Sequence, residues 1–293
     1  MRRGRAPPDG GSGFVRTPTP APVARSCERI GRFEAQGVPF CIVAPAGQWR
    51  RVATWLPWGS KPTRRPPAFD VHLSRQGSEW VVASSDGDAF AYSSLASALR
   101  GLHSAAQIRV AERMPKFVVV HAGVVEVGGL AVLLPGYSLA GKSTLVRALL
   151  RAGARLMSDD YAWVDSRGRV HPHARWLHVR PRAGGWGRRV GPPRVDPTPR
   201  RVGAVFLLRY EACGGTSWTP LPGARSLHAL LEFTVSVRRD PARALEWLGR
   251  MLRDVPAFEG TRGEVREAAR EVLRIVGEGQ KRMKARPLPS NQN

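Results

Sequence analysis

Short apolar runs separated by turn residues begin near Arg29. Residues 40–43, 69–73, 80–83 and 89–92 are rich in β-branched and aromatic side chains and lie between Pro/Gly-rich or Ser/Asp/Gly stretches, which predicts strands. Leu95, Leu99, Leu102 and Ile108 recur at near-helical spacing and predict a helix over 94–112. Residues 117–120 carry a buried-strand signature that ends at His121. Residues 124–127 and 130–134 continue the strands, and the second run feeds a Gly-bounded loop and a helix over 143–152 that Gly153 stops. Residues 154–157 lead into Ser158-Asp159-Asp160, and 161–164 predict a strand before the Ser166-Arg167-Gly168 turn. Further strands are expected over 176–179 and 202–208, with helices over 227–232, 242–252 and 263–276. The Pro/Gly/Arg-rich residues 182–199 between them have the composition of a mobile loop.

This pattern gives an α/β chain in four parts. Residues 1–26, rich in Pro, Gly, Ala and Arg, have almost no apolar periodicity and are expected to form a disordered basic tail. Residues 27–112 are expected to form a small β-rich N-terminal domain, 113–276 a larger α/β domain, and 277–293 a second basic flexible tail. No internal repeat is visible.

The formal charge of +23 raises the question of nucleic acid, because clustered cations bind polyphosphates by releasing counterions. The distribution argues against it as a main role. Lys61, Lys116, Lys142, Lys281 and Lys284 are the only lysines, and the arginines are spread over every segment with no single basic stripe. An acidic or phosphate-bearing ligand remains compatible. Cys27, Cys41 and Cys213 are odd in number and widely spaced, which indicates neither a disulfide framework nor a zinc site and fits a reducing compartment. No signal-peptide core and no stretch of membrane-spanning length appears, so a soluble cytoplasmic protein without a membrane partner is expected. A homo-oligomer is compatible with the sequence.

The strongest chemical signal is Gly136-Tyr137-Ser138-Leu139-Ala140-Gly141-Lys142-Ser143, a G-x-x-x-x-G-K-[ST] phosphate loop (Walker A) with a strand before it and a helix after it. Glycines let the backbone bend round an anion, successive amides and the helix N-terminus point at phosphates, Lys142 supplies a point charge, and Ser143 offers a hydroxyl to Mg2+. Thr144 completes the expected nucleotide-binding set. Asp159 and Asp160 end an apolar approach. They read either as carboxylates at the sheet edge that divide metal ordering from proton abstraction, or as a helix cap or solvated turn. Their place after Ser143 favours the first reading. His121, at a strand end, taken alone is more often structural. Arg175 reads equally as a phosphate clamp or a solvated strand residue. The spacing of His171, His173 and His178 favours ordinary structural histidines over a metal site, and the tryptophans read as core groups.

Phe117-Val-Val-Val-His121-Ala-Gly123, Gly129-Leu-Ala-Val-Leu-Leu-Pro-Gly136, Gly141-Lys142-Ser143 and Gly153-Ala-Arg-Leu-Met-Ser-Asp159-Asp160 together resemble the kinase domain of HPr kinase/phosphorylase and its divergent HPr-kinase-like relatives. The resemblance implies a P-loop kinase domain of the HPr kinase / PEP carboxykinase type that uses ATP and Mg2+ to phosphorylate a hydroxyl, typically a serine. It implies Asp160 as base, His121 assisting, Lys142 on the phosphates, and Ser143 on the metal. The family's downstream Glu-x-Arg-Gly-Leu-Gly signature, which supplies a second metal ligand and supports phosphorolysis, is missing. Asp159 is therefore expected to carry more of the metal, and phosphorylase activity is not expected. The N-terminal domain has no match to the HPr enzyme, so the expected partner is a protein or peptide carrying an acceptor serine, with a ribosomally made precursor peptide as one example. The alternative is an ATP-binding regulatory or assembly module without transfer.

Overall fold

A computed structural model describes residues 28–137, 140–173, 177–179, 188–190, 196–210 and 214–285, with the side chains of 177–179, 188–190, 210 and 282–285 left aside. The chain divides into two compact units, Met1–Arg113 and Met114–Asn293. The expected tail over 1–26 lies outside the described residues.

The first unit contains β1 (Glu28–Ala35), β2 (Val38–Pro45), α1 (Trp49–Ala53), β3 (Lys61–Pro62), β4 (Asp70–Gln76), β5 (Glu79–Ser84), β6 (Ala89–Tyr92) and α2 (Leu95–Arg113). Its six strands form one mixed sheet in the order β3-β1-β2-β4-β5-β6. Strand β1, half of whose residues are exposed, carried no clear alternation in the sequence. An ionic cluster ties α2 to the β5–β6 turn: buried Arg109 bonds Glu112, fully buried on the same helix, at 2.8 Å and Asp86 at 3.0 Å, and also pairs with Asp88.

The second unit contains β7 (Val118–Val120), β8 (Ala122–Val127), β9 (Leu130–Pro135), α3 (Lys142–Arg151), β10 (Arg155–Ser158), β11 (Ala162–Val164), β12 (Arg169–His171), β13 (Leu177–Val179), β14 (Arg188–Val190), β15 (Arg200–Tyr210), β16 (Ser217–Leu221), α4 (Gly223–Leu231), α5 (Pro241–Leu252), β17 (Ala257–Arg262) and α6 (Val265–Ala285). Nine of these strands form a mixed sheet in which β15 runs parallel to both β9 and β17. Both faces of β15 are covered, which is why it reads as a nearly continuous apolar run. Ala204, Phe206 and Leu208 point into a core with Leu145, Leu149, Val272 and Val276 of α3 and α6, whereas Val202, Val205 and Leu207 join a core with Leu230, Leu248 and Met251 of α4 and α5. From Ala204 onward the alternation has period 2, as a strand requires, and a register shift between Val202 and Ala204 leaves Val202 on the same face as Val205 and Leu207.

Three expectations need correction. The helix expected to stop at residue 276 continues to Ala285, so residues 277–285 are helix and not tail. Gly277 and Gly279 lie in open space within it, and Gln280 donates to the Val127 carbonyl at 3.0 Å. Strand β17 was not anticipated because Glu259, Gly260 and Thr261 interrupt its apolar character. Pairing with β15 on one side and β16 on the other makes it a strand, and a Cβ on Gly260 would collide with the Ser217 carbonyl oxygen. Within the connection expected over 182–199, Arg188–Val190 pairs with Leu177–Val179; most of the remaining residues lie outside the described ones.

Phe206 is fully buried, with ring centroids 5.0 Å from both Phe258 and Trp218. Phe206→Ala should destabilise the second unit by about 3–5 kcal/mol and Phe206→Leu by clearly less, read as shifts of the denaturant midpoint.

Candidate functional site

The parallel strands β9, β15 and β17 end on the same side of the sheet, where an open α/β sheet offers a crevice to ligands. As the chain leaves β9, Gly136 presses against β15, and a Cβ there would lie 3.0 Å from the Leu208 carbonyl oxygen. The segment returns at Gly141, whose φ of 82° lies in the left-handed region that glycine tolerates, and α3 begins there with no side chain capping its N-terminus. Uncapped amides at a helix start suit an anion. Ala140 donates its amide to the Tyr137 carbonyl at 3.2 Å, which tightens the turn. Ser138 and Leu139 lie outside the described residues, and Thr144 is exposed on the first turn of α3.

Lys142 is buried, 8% exposed, and its ammonium donates to the Gly136 carbonyl at 2.6 Å and the Tyr137 carbonyl at 2.9 Å. Burial lowers its pKa, and the charges of Asp160 and Asp159 oppose that shift. His121 occupies the single-residue junction between β7 and β8, with its amide donated to the Phe233 carbonyl at 2.7 Å and its ring 5.7 Å from that of Tyr161. Burial, reinforced by the Lys142 charge and opposed by Asp160, lowers the His121 pKa and favours the neutral ring. The acidic pair follows β10, which lies antiparallel to β8, and the Ala122 amide holds the Asp160 carbonyl at 3.2 Å. His121, Lys142, Ser143, Asp159 and Asp160 therefore meet as one interacting set, drawn from the β7–β8 junction, α3 and the turn after β10.

Asp159 is the most perturbed of these groups. Its carboxyl is pushed up to about 6 by burial and then by the neighbouring Asp160 charge, while a hydrogen bond from Ser143 and the Lys142 charge hold it down in part. Its Oδ1 is buried without a hydrogen-bond partner. A carboxylate oxygen left this way beside a serine hydroxyl fits a small divalent cation. Among the described residues no cluster of three His, Cys, Asp or Glu side chains stands ready to hold a metal, so Ser143 and Asp159 would need phosphate oxygens and water to complete a coordination sphere. Mg2+ is commonly held in that way.

Arg262 escaped the sequence reading. It ends β17, is 6% exposed, and its guanidinium lies against the start of α3: a Cβ on Gly141 would sit 2.5 Å from Nη2 and 2.9 Å from Nε. The only available signal was an arginine at the end of a strand that was itself not recognised. Arg175 lies outside the described residues, as does the His178 side chain. His171 bonds Asp165 through Nε2 at 3.0 Å, and His173 is buried with its ring stacked 3.9 Å from that of Trp163; neither belongs to the charged set.

No protein-family model matches the chain, and no curated protein does. Among solved structures, the HPr(Ser) kinase/phosphatase from Coxiella burnetii aligns with 57% of this chain and 99% of its own at 12% identity and a TM-score of 0.34. No helix among the described residues is long and apolar enough to cross a membrane.

A folded pKa raised from 3.8 to about 6 means that the folded protein holds more protons than the unfolded chain between those values, so the contribution of Asp159 to stability falls as pH rises through that window. Asp159→Asn should therefore gain on wild type by about 1–3 kcal/mol between pH 4 and pH 7, a difference that urea unfolding at the two pH values would read.

Proposed function

We propose that this protein is an ATP-dependent kinase of the HPr-kinase-like kind, transferring the γ-phosphate of ATP to the hydroxyl of a serine in a protein or peptide. The reading rests on one observation above all: a buried lysine, a serine-bound carboxylate and a second carboxylate interact around a glycine-bounded turn at a helix N-terminus. Amides at the start of α3 and the ammonium of Lys142 bind the phosphates, with Lys142 exchanging the Gly136 and Tyr137 carbonyls for phosphate oxygens. Ser143 and Asp159 would hold Mg2+, which would supply positive charge against the phosphates. Asp160 accepts the proton of the acceptor hydroxyl as its oxygen bonds to the γ-phosphorus and the bond from that phosphorus to the ADP oxygen breaks. His121, neutral in this setting, orients the acceptor hydroxyl or Asp160 by hydrogen bonding. Arg262, packed over Gly141, adds fixed positive charge where the transferring group gathers negative charge.

Among the described residues no third acidic side chain joins Asp159 and Asp160 in a metal cluster, which favours one competing reading, an ATP-binding module that never transfers phosphate. Incubation with γ-labelled ATP, Mg2+ and serine peptides separates the two. Asp160→Asn should bind ATP within about threefold of wild type but lose transfer by a factor of about 10²–10⁴, and transfer by wild type no greater than by Asp160→Asn would favour the binding module. Lys142→Ala should weaken ATP binding, and Arg262→Gln should lower kcat by about 10²–10³ with a smaller change in the KM for ATP. Titration calorimetry and initial rates would measure both.

A further inference from the structure

Beside the charged set lies an aromatic ledge to which no role has yet been given. Tyr137 is 66% exposed although its ring edges onto Phe233 at 4.9 Å, and its hydroxyl donates to Glu232 at 3.1 Å. Phe233 is held on both sides of its peptide unit: its amide donates to the Leu230 carbonyl at 3.1 Å and its carbonyl accepts the His121 amide at 2.7 Å. Just beyond it, Thr234 bridges Val120, and the Ser236 hydroxyl accepts the Val119 amide at 2.9 Å. The segment after α4 is thus fastened along β7, and Tyr137 leans on it from the phosphate loop. Because the same bond joins Phe233 to His121, and His121 senses both Lys142 and Asp160, the ledge borders the proposed reaction centre.

The chemistry of this border favours one class of acceptor. A site that reads a small polyol needs several hydrogen-bonding side chains matched to its hydroxyls. Here the ledge offers the exposed Tyr137 ring, backed by the partly buried Phe233, and the Tyr137 hydroxyl is committed to Glu232. Exposed rings fixed in place bind bulky apolar side chains at little entropic cost.

We propose that Tyr137, backed by Phe233 and held by Glu232, sets acceptor specificity by seating a bulky apolar side chain next to the acceptor serine of a peptide. The inference rests on the kinase reading above and names its substrate class. Tyr137 is here a specificity residue, and Glu232 a positioning residue acting through it.

The test uses serine peptides of one length whose flanking residue is Leu or Phe, Ala, or Asp. Transfer is measured as kcat/KM for peptide and KM for ATP, and binding is measured separately by titration with Mg2+ and a non-hydrolysable ATP analogue. Wild type should prefer Leu or Phe over Ala by about tenfold or more. Tyr137→Ala should bring that preference within about twofold, with the KM for peptide moving more than that for ATP, and Tyr137→Phe should restore it because the ring remains. A preference untouched by Tyr137→Ala, transfer to polyols in place of peptides, or no peptide binding at all would overturn the proposal. Peptides phosphorylated without a Tyr137-dependent preference would remove the ledge and leave the kinase. Apolar-flanked peptides that bind through Tyr137 and are never phosphorylated would remove the kinase and leave the ledge.

Discussion

The ammonium of Lys142 is buried, and a buried cation is tolerated only where other groups replace water around it. Two carbonyls of its own loop and the charges of Asp159 and Asp160 do so here. That arrangement constrains what surrounds it. The loop has to fold back far enough for the Gly136 and Tyr137 carbonyls to face α3, and the turn after β10 has to deliver both acids to the same place. His121 feels the result as a lowered basicity, and Asp159 as a raised one. A polyanion with a divalent cation would satisfy all of these groups together, since phosphate oxygens would replace the loop carbonyls and the metal would take up the buried Asp159 oxygen.

The sheet brings these residues together because of how its layers are covered. Strands β9, β15 and β17 run parallel with helices on both faces, so their ends open onto one crevice. The β7–β8 junction and the turn after β10 reach the same region through the antiparallel pairing of β8 with β9 and β10. Residues distant in sequence thus share one small volume. Gly141 has a double role there: its backbone turns into the left-handed region, and its missing side chain lets the Arg262 guanidinium approach.

Much of this was legible in the sequence where local chemistry is distinctive. Apolar runs located β9 and the core of β15, and the glycine-bounded loop with its lysine and serine located the start of α3. What stayed hidden depends on non-local pairing. Strand β17 contains Glu259, Gly260 and Thr261 and becomes a strand only between β15 and β16, so Arg262 at its end could not be assigned. The continuation of α6 past Val276 was masked by Gly277 and Gly279, which sit in open space and cost the helix little beyond propensity. The contact between Tyr137 and Phe233 joins two segments far apart in the chain, and no periodicity announces it.

The most direct measurement is an experimental structure of the protein with Mg2+ and a non-hydrolysable ATP analogue. It should show the Lys142 ammonium moved from the Gly136 and Tyr137 carbonyls onto the β- and γ-phosphate oxygens, with the metal between Ser143 and Asp159. A nucleotide bound elsewhere, with Lys142 still on those two carbonyls, would contradict the account.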